Sequence, residues 1–128
     1  NMKIFLKGIK STDNISEPRD NRVSVSLAKN EPLTLHVTLT NKDGSVLAVD
    51  DPSSYVAAAV YRKGSTSRIG YGSTLNSSPP RQKDGVVEFT LTVNSNVEPG
   101  EYMWNLTYTD ATGDTYRLMD WSSFVVRK

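Results

Sequence analysis

Few side chains in this sequence have the types and spacing that enzymatic chemistry needs. The chain has one histidine, His36, and no cysteine, so the usual nucleophile–base pairs and His- or thiolate-based metal sites cannot be assembled. Asp50 and Asp51 are neighbours, and neighbouring residues of an extended strand point to opposite faces, so their carboxylates converge only if the turn bends the chain there. No glycine-rich phosphate loop follows a predicted strand and opens a helix. We therefore expect no enzymatic activity, no metal and no other cofactor.

One short segment places oxygen ligands at alternate positions, as calcium loops do. Asp110, Thr112 and Asp114 have this spacing, but the closing acidic ligand of the EF-hand pattern is missing. The interpretation that we favour is a hairpin turn whose aspartates hydrogen-bond their own backbone.

Basic residues are concentrated between Arg62 and Asp84. This segment carries five basic residues and one acidic residue, a net charge of +4, whereas the whole chain carries +1. The five are Arg62, Lys63, Arg68, Arg81 and Lys83. Such a segment could dock onto an acidic neighbour, or it could be an ordinary solvated loop. The near-neutral total argues against nucleic acid as a partner.

Two aromatic residues are candidates for binding because they lie outside the regular core pattern. Tyr71 falls in the basic segment, and Trp121 has odd parity where the neighbouring apolar residues of the last strand have even parity. Exposed aromatic rings anchor protein partners or stack on sugars. The alternative for each is packing over a sheet edge, and for Trp121 a bulge that turns the ring inward.

The elements that must position these residues are predicted to be short strands. Apolar residues alternate with polar ones at period two, which is typical of half-buried strands. The stretches are Ile4–Leu6, Val23–Leu27, Leu33–Thr40, Val86–Val93, Tyr102–Tyr108 and Tyr116–Val126. "YVAAAVY" (55–61) is interpreted as a crowded central strand, and "RIGYG" as a brief edge strand. A kink is expected near Trp121.

These strands predict one all-β domain over residues 1–128, a β-sandwich of about seven to nine antiparallel strands. Residues 1–21 are expected to be a short first strand and a polar arm, and residues 62–84 a long basic loop. No apolar run reaches the roughly 20 residues that a membrane helix needs, so no membrane association is expected.

The order of the turns resembles immunoglobulin-like domains of bacterial and phage proteins. In those domains a "PGxY" motif leads into a strand, a "TDxxG" hairpin follows, and the last strand ends in "F-x-V". The matching residues are Pro99–Tyr102, Thr109–Gly113 and Phe124–Val126. The segment "KNEPLTLHVTLTNKDGSVLAVDDPSSYVAAAVYRKG" is similar to a pattern of phage baseplate and other virion proteins.

The resemblance implies an immunoglobulin-like β-sandwich that serves as a structural or interaction module of a phage particle, in a capsid decoration, tail or baseplate. It implies binding to other virion proteins or to a second copy, and assembly in the host cytoplasm, with which the absence of a visible export signal agrees. The alternative is a glycan-binding module of an adhesin or a carbohydrate-active protein.

Overall fold

The computed structural model describes residues 2–10, 21–49, 53–77 and 80–128. In this part of the chain ten strands and one short 3₁₀ helix (Thr74–Asn76) are formed. The strands are β1 (Met2–Lys10), β2 (Val25–Ala28), β3 (Leu33–Asn41), β4 (Tyr55–Tyr61), β5 (Arg68–Ser73), β6 (Gln82–Lys83), β7 (Val86–Val93), β8 (Gly100–Thr109), β9 (Thr115–Arg117) and β10 (Ser122–Arg127). The predicted all-β class is therefore confirmed.

The strands pair in the order β1-β3-β7-β5-β4-β8-β10-β2, with β6 added to β7 and β9 added to β8. This path folds over into an almost closed, barrel-like sandwich. We call β1, β3, β7 and β6 the first sheet, and β2, β10, β8, β4, β5 and β9 the second sheet. The strands β5 and β7 join the two sheets through two residue pairs, Gly70 with Val93 and Tyr71 with Thr92.

The period-two patterns identify the core correctly. In β3 the side chains of Leu33, Leu35, Val37 and Leu39 are fully buried. In β8 the alternate aromatic and aliphatic residues point inward, with Trp104 and Leu106 fully buried and Tyr102 and Tyr108 nearly so. Burial of apolar side chains from both sheets is the main stabilising contribution to such a fold.

Strand number and direction differ from the sequence prediction. There are ten strands instead of seven to nine, because two very short ones, β6 and β9, flank the longer β7 and β8. Two pairs are parallel, β1 with β3 and β10 with β2. These pairs are parallel because the chain crosses from the first sheet to the second between β1 and β2, and returns to the first sheet for β3.

The predictions for the two irregular segments also need correction. The first strand is not short: β1 continues through Gly8 to Lys10, and only residues 11–20 of the expected arm lie outside the described residues. Residues 62–84 are not one long loop, because β5 lies within them. Nor is β5 an edge strand, since it pairs with β4 on one side and β7 on the other. The glycines of "RIGYG" let β5 approach β7 closely.

Gly72 allows the closest approach between β5 and β7. A Cβ at this position would lie 2.3 Å from the Thr90 carbonyl oxygen and 2.8 Å from the Leu91 Cα. Both are backbone atoms and cannot rotate away. At Gly70 the corresponding nearest atom, the Thr92 carbonyl oxygen, is 3.1 Å away, so that position is less crowded.

We predict that Gly72→Ala lowers the free energy of unfolding by more than about 2 kcal/mol, the range of overpacked cores. Gly70→Ala is the matched control and should cost clearly less. Urea denaturation of both variants would measure the difference. An equal or smaller loss at Gly72 would show that β5 and β7 can separate without cost.

Candidate functional site

The outer face of the second sheet is the candidate site, and the central strand β4 runs through its middle. Because side chains alternate along a strand, Val56, Ala58 and Val60 face the core while Tyr55, Ala57, Ala59 and Tyr61 face outward. The central position predicted for β4 is confirmed. The expected crowding is wrong on the outer side, because the small alanines leave a depression there.

This depression, which we call the tyrosine groove, has a volume of about 240 Å³. Its least exposed lining residues are Ala57, Ala59 and Asn105, each 7% exposed. The half-buried rings of Tyr55, Tyr61 and Tyr71 flank them, and Arg68, Thr107, Thr109 and Thr115 complete the lining. The register sets Tyr71, Ala59 and Asn105 side by side on β5, β4 and β8, so an aromatic ring and an amide face each other across one alanine.

Two polar side chains of the groove make no side-chain hydrogen bond within the described residues. Asn105 makes no side-chain hydrogen bond within the described residues, although it is nine-tenths buried. The Arg68 guanidinium carbon lies 4.1 Å from the centre of the Tyr71 ring, and the guanidinium has no hydrogen bond or ion pair in the described part of the chain. The groove therefore presents one amide and one cation to a ligand.

A second depression adjoins the first, since Tyr61 lines both. This tryptophan cleft has a volume of about 290 Å³ and is lined by Tyr61, Arg62, Gly64, Ser65, Thr66, Met103 and Trp121. Trp121 is half-buried and meets Tyr61 edge to face, with ring centres 5.4 Å apart. The structure thus places Trp121 and Tyr71 on the same face, at either side of Tyr61.

A kink separates β9 from β10, as the sequence predicts, but it does not turn the Trp121 ring into the core, and the residue stays half-buried. The residues before β2 fasten this kink: the Asn21 side-chain amide donates to the Leu118 carbonyl oxygen at 2.9 Å, and the Ser122 hydroxyl accepts from the Val23 N–H at 3.0 Å. The Asp120 Oδ1 accepts a hydrogen bond from the Trp121 N–H at 2.9 Å.

Asp120 is held in place by Arg22. The Arg22 Nη2 donates to the Asp120 Oδ2 at 2.8 Å. This hydrogen bond is the main reason that the pKa of Asp120 lies below its ordinary value of 3.8, although partial burial of the carboxyl group opposes the shift. An ionised Asp120 therefore helps to fix the backbone from which Trp121 projects.

The five basic candidates are divided between different surfaces. Arg62 lines the tryptophan cleft and Arg68 the tyrosine groove. Lys63 forms an exposed ion pair with Glu101, Nζ to Oε1 3.3 Å. Arg81 and Lys83 lie elsewhere, in a hollow of about 660 Å³ that also contains His36 and Glu88. The segment 62–84 therefore does not form one basic docking surface.

His36 lies on the outer face of its strand and contacts two neighbouring side chains. The Phe5 ring stacks on it with centres 4.4 Å apart, and its Nδ1 is 3.8 Å from the Glu88 Oε1. Its Nε2 is buried without a hydrogen-bond partner. No group of three or more potential metal ligands occurs among the residues that the structure describes; Asp50 and Asp51 lie outside them.

The hairpin interpretation of the aspartate-rich segment is confirmed. The Asp110 Oδ1 accepts hydrogen bonds from the N–H groups of Thr112 and Asp114, at 3.0 and 2.9 Å, and from the Thr112 hydroxyl at 2.6 Å. These bonds lower the pKa of Asp110, with the Thr112 side-chain bond contributing most. The carboxylate is thus used to close the turn between β8 and β9.

The sequence pattern alone does not single out Asn105, Ala57 or Ala59 as site residues. The available signal was parity. Asn105 alternates with the core residues Trp104 and Leu106 and must therefore face outward, while the alanines mark a low point in the central strand. The pairing of β4 with β8 that joins these residues is a long-range feature and is not visible in either segment alone.

Comparisons with known proteins give no family. No family model matches the chain, and no curated protein matches it. Among solved structures, a crystal structure of a multicopper oxidase aligns with a TM-score of 0.39 and 12% identity, over 98% of this chain and 44% of that chain. The chain thus spans less than half the length of that protein. Within the described ranges, no helix is long and apolar enough to cross a membrane.

We predict that Trp121→Ala lowers the free energy of unfolding by only about 1–2 kcal/mol, because the ring is half-exposed and its main aromatic contact is with Tyr61. The matched variant Trp104→Ala empties a fully buried site and should cost about 3–5 kcal/mol. Guanidinium denaturation of the two variants provides the comparison. Equal losses would place Trp121 in the core and remove it from the site.

The Arg22–Asp120 pair predicts a loss of stability in acid. A carboxyl group with a lowered folded-state pKa stabilises the fold above its unfolded pKa, and this contribution is lost as the pH falls through the folded-state pKa. Asp120→Asn should therefore lower the free energy of unfolding by up to about 1 kcal/mol at neutral pH, and the value is modest because Arg22 is exposed. Well below pH 3.8 the substitution should not change the free energy of unfolding. Thermal melts across this range are the measurement.

Arg22→Ala is the control for this prediction and should remove most of the same pH dependence. A difference between the wild-type protein and Asp120→Asn that stayed constant with pH would contradict the assignment, because the lost interaction would then not depend on ionisation.

Proposed function

We propose that this chain is a non-enzymatic structural and interaction module of a phage particle, built as an immunoglobulin-like β-sandwich in a capsid decoration, tail or baseplate. The turn motifs that carry the resemblance support this proposal by their positions. Pro99-Gly100 leads into β8, Thr109–Gly113 forms the hairpin to β9, and Phe124–Val126 lies in β10. In the described structure, the three motifs lie at the start of β8, in the turn between β8 and β9, and in β10.

The observation that carries the proposal is the edge strand β1. It pairs along its full nine residues with β3 and stands at the end of the strand order. Its other edge makes no strand pairing within the described residues. An uncovered edge of this length is a template for pairing with another chain.

The side chains of β1 reinforce this interpretation. Phe5 is 77% exposed and Ile9 is 41% exposed, which is unusual for large apolar residues. Lys3 and Lys7 alternate with them on the same exposed face. We therefore expect the partner to be an extended segment of a virion protein that brings apolar and acidic side chains to β1, in the mode of β-strand addition.

We predict that Phe5→Glu abolishes incorporation of the domain into particles, because it places a charge in the apolar centre of this surface. Val46→Glu is a matched control: Val46 is also apolar and 61% exposed, but it lies in the turn after β3. Co-sedimentation of the tagged domain with phage particles from the encoding strain, followed by mass spectrometry, would measure incorporation. Thermal melts would verify that both variants fold.

Equal incorporation of both variants, or the absence of the wild-type domain from purified particles, would contradict the proposal. Deletion of residues 2–21 is a poorer experiment than these substitutions. Met2, Ile4 and Leu6 pack against the core, so the deletion would damage the fold as well as the surface.

A glycan-binding module is a second candidate function. The observation that favours it is the outer face of the second sheet, where two adjoining depressions are bordered by Tyr55, Tyr61, Tyr71 and Trp121. Aromatic faces beside unpaired polar groups suit sugars, whose rings have apolar faces and hydroxylated edges.

A further inference from the structure

We infer that the tyrosine groove is a binding site for an acidic saccharide, with the ligand carboxylate on Arg68 and ligand hydroxyl groups on Asn105. This inference rests on the second candidate function and adds the chemical class of the ligand. It does not depend on the β1 edge or on incorporation into particles.

Asn105 is the first reason to expect a ligand. Burial removes its amide from most of the surrounding water, and no protein group within the described residues replaces the lost hydrogen bonds. Its amide atoms are not sealed from solvent, so they stay open to the groove, where a ligand can pair with them. A sugar hydroxyl both donates and accepts, and can therefore bind either end of the amide.

Arg68 is the reason to expect a negatively charged ligand. Stacking on Tyr71 limits the positions that the guanidinium can adopt, while its N–H donors have no hydrogen-bond partner among the described residues. None of the described residues that line the groove is an aspartate or glutamate. A guanidinium fixed in this way binds a carboxylate through two parallel hydrogen bonds, so an anion is favoured over a cation or a neutral group.

The position and size of the groove favour a sugar over a peptide. Extended peptides add to a free sheet edge, but the groove lies over the middle of the sheet, where β4 is already paired on both sides with β5 and β8. At about 240 Å³ it is smaller than the roughly 300–1,000 Å³ of drug-sized sites. Tyr61 lines both this groove and the tryptophan cleft, so a ligand chain that continued past this one ring would reach the cleft.

The test is titration of the domain with two acidic probes, 3′-sialyllactose and tetragalacturonate, and two neutral ones, lactose and cellotetraose. Isothermal calorimetry gives the affinity, and amide chemical shifts locate the site. We expect the acidic probes to bind more tightly and to shift resonances of β4, β5 and β8. Arg68→Ala and Asn105→Ala should each weaken binding at least about tenfold, which is about 1.4 kcal/mol. The control Lys83→Ala removes a cation outside the groove and should change nothing.

Each outcome bears on a different claim. Neutral probes that bind as well as acidic ones, with Arg68→Ala unchanged, would overturn the acidic specificity and leave the glycan-binding function standing. Binding that survives both Arg68→Ala and Asn105→Ala would overturn the groove as the site. No shift with any probe at several millimolar would overturn the inference and the second candidate function together. Melting curves of the variants ensure that lost binding does not reflect unfolding.

Discussion

The whole architecture depends on how closely β5 can approach β7. These strands belong to opposite sheets, and at Gly72 their backbones come so near that a Cβ would overlap the Thr90 carbonyl oxygen and the Leu91 Cα of β7. The contact joins the two sheets into one hydrogen-bonded path instead of two separate layers. It also fixes β5 beside β4, and with it the position of Tyr71 and Arg68. The groove on the outer face of the second sheet therefore depends on the close contact between β5 and β7.

A second constraint acts at the opposite side of the second sheet. The last strand is divided, with β9 and β10 both pairing with β8 but separated by a kink. The residues before β2 form hydrogen bonds with polar groups at the kink that have no strand partner. In addition, the Trp104 Nε1 donates to the Val23 carbonyl oxygen at 2.8 Å. Because these bonds come from a distant part of the chain, the kink is held in one shape. Trp121 therefore projects from a connection between two strands that hydrogen bonds to a distant segment hold in place.

Local pattern was enough to predict the strands, their inward faces and the kink near Trp121, because each depends on neighbouring residues along the chain. It was not enough for β5. Two glycines in a short segment look like a weak edge strand, and only the contact with β7 shows why they are there. The groove was missed for the same reason: Tyr71, Ala59 and Asn105 lie on three strands, and only the pairing of those strands assembles them. The charge of segment 62–84 suggests one unit, but strand pairing separates Arg68 from Arg81 and Lys83.

The two parallel pairs at the ends of the strand order bring the beginning and the end of the chain together. The Met2 N–H is directed to the Pro32 carbonyl oxygen at 3.4 Å, and the Lys29 N–H donates to the Arg127 carbonyl oxygen at 2.8 Å. Both ends therefore meet the single tight turn between β2 and β3. A short linker from Lys128 to Met2 would close the chain into a ring with little loss of entropy. The Asp110–Asp114 turn offers an exposed place to open it, so the fold is suited to circular permutation and to insertion into a surface loop of another protein.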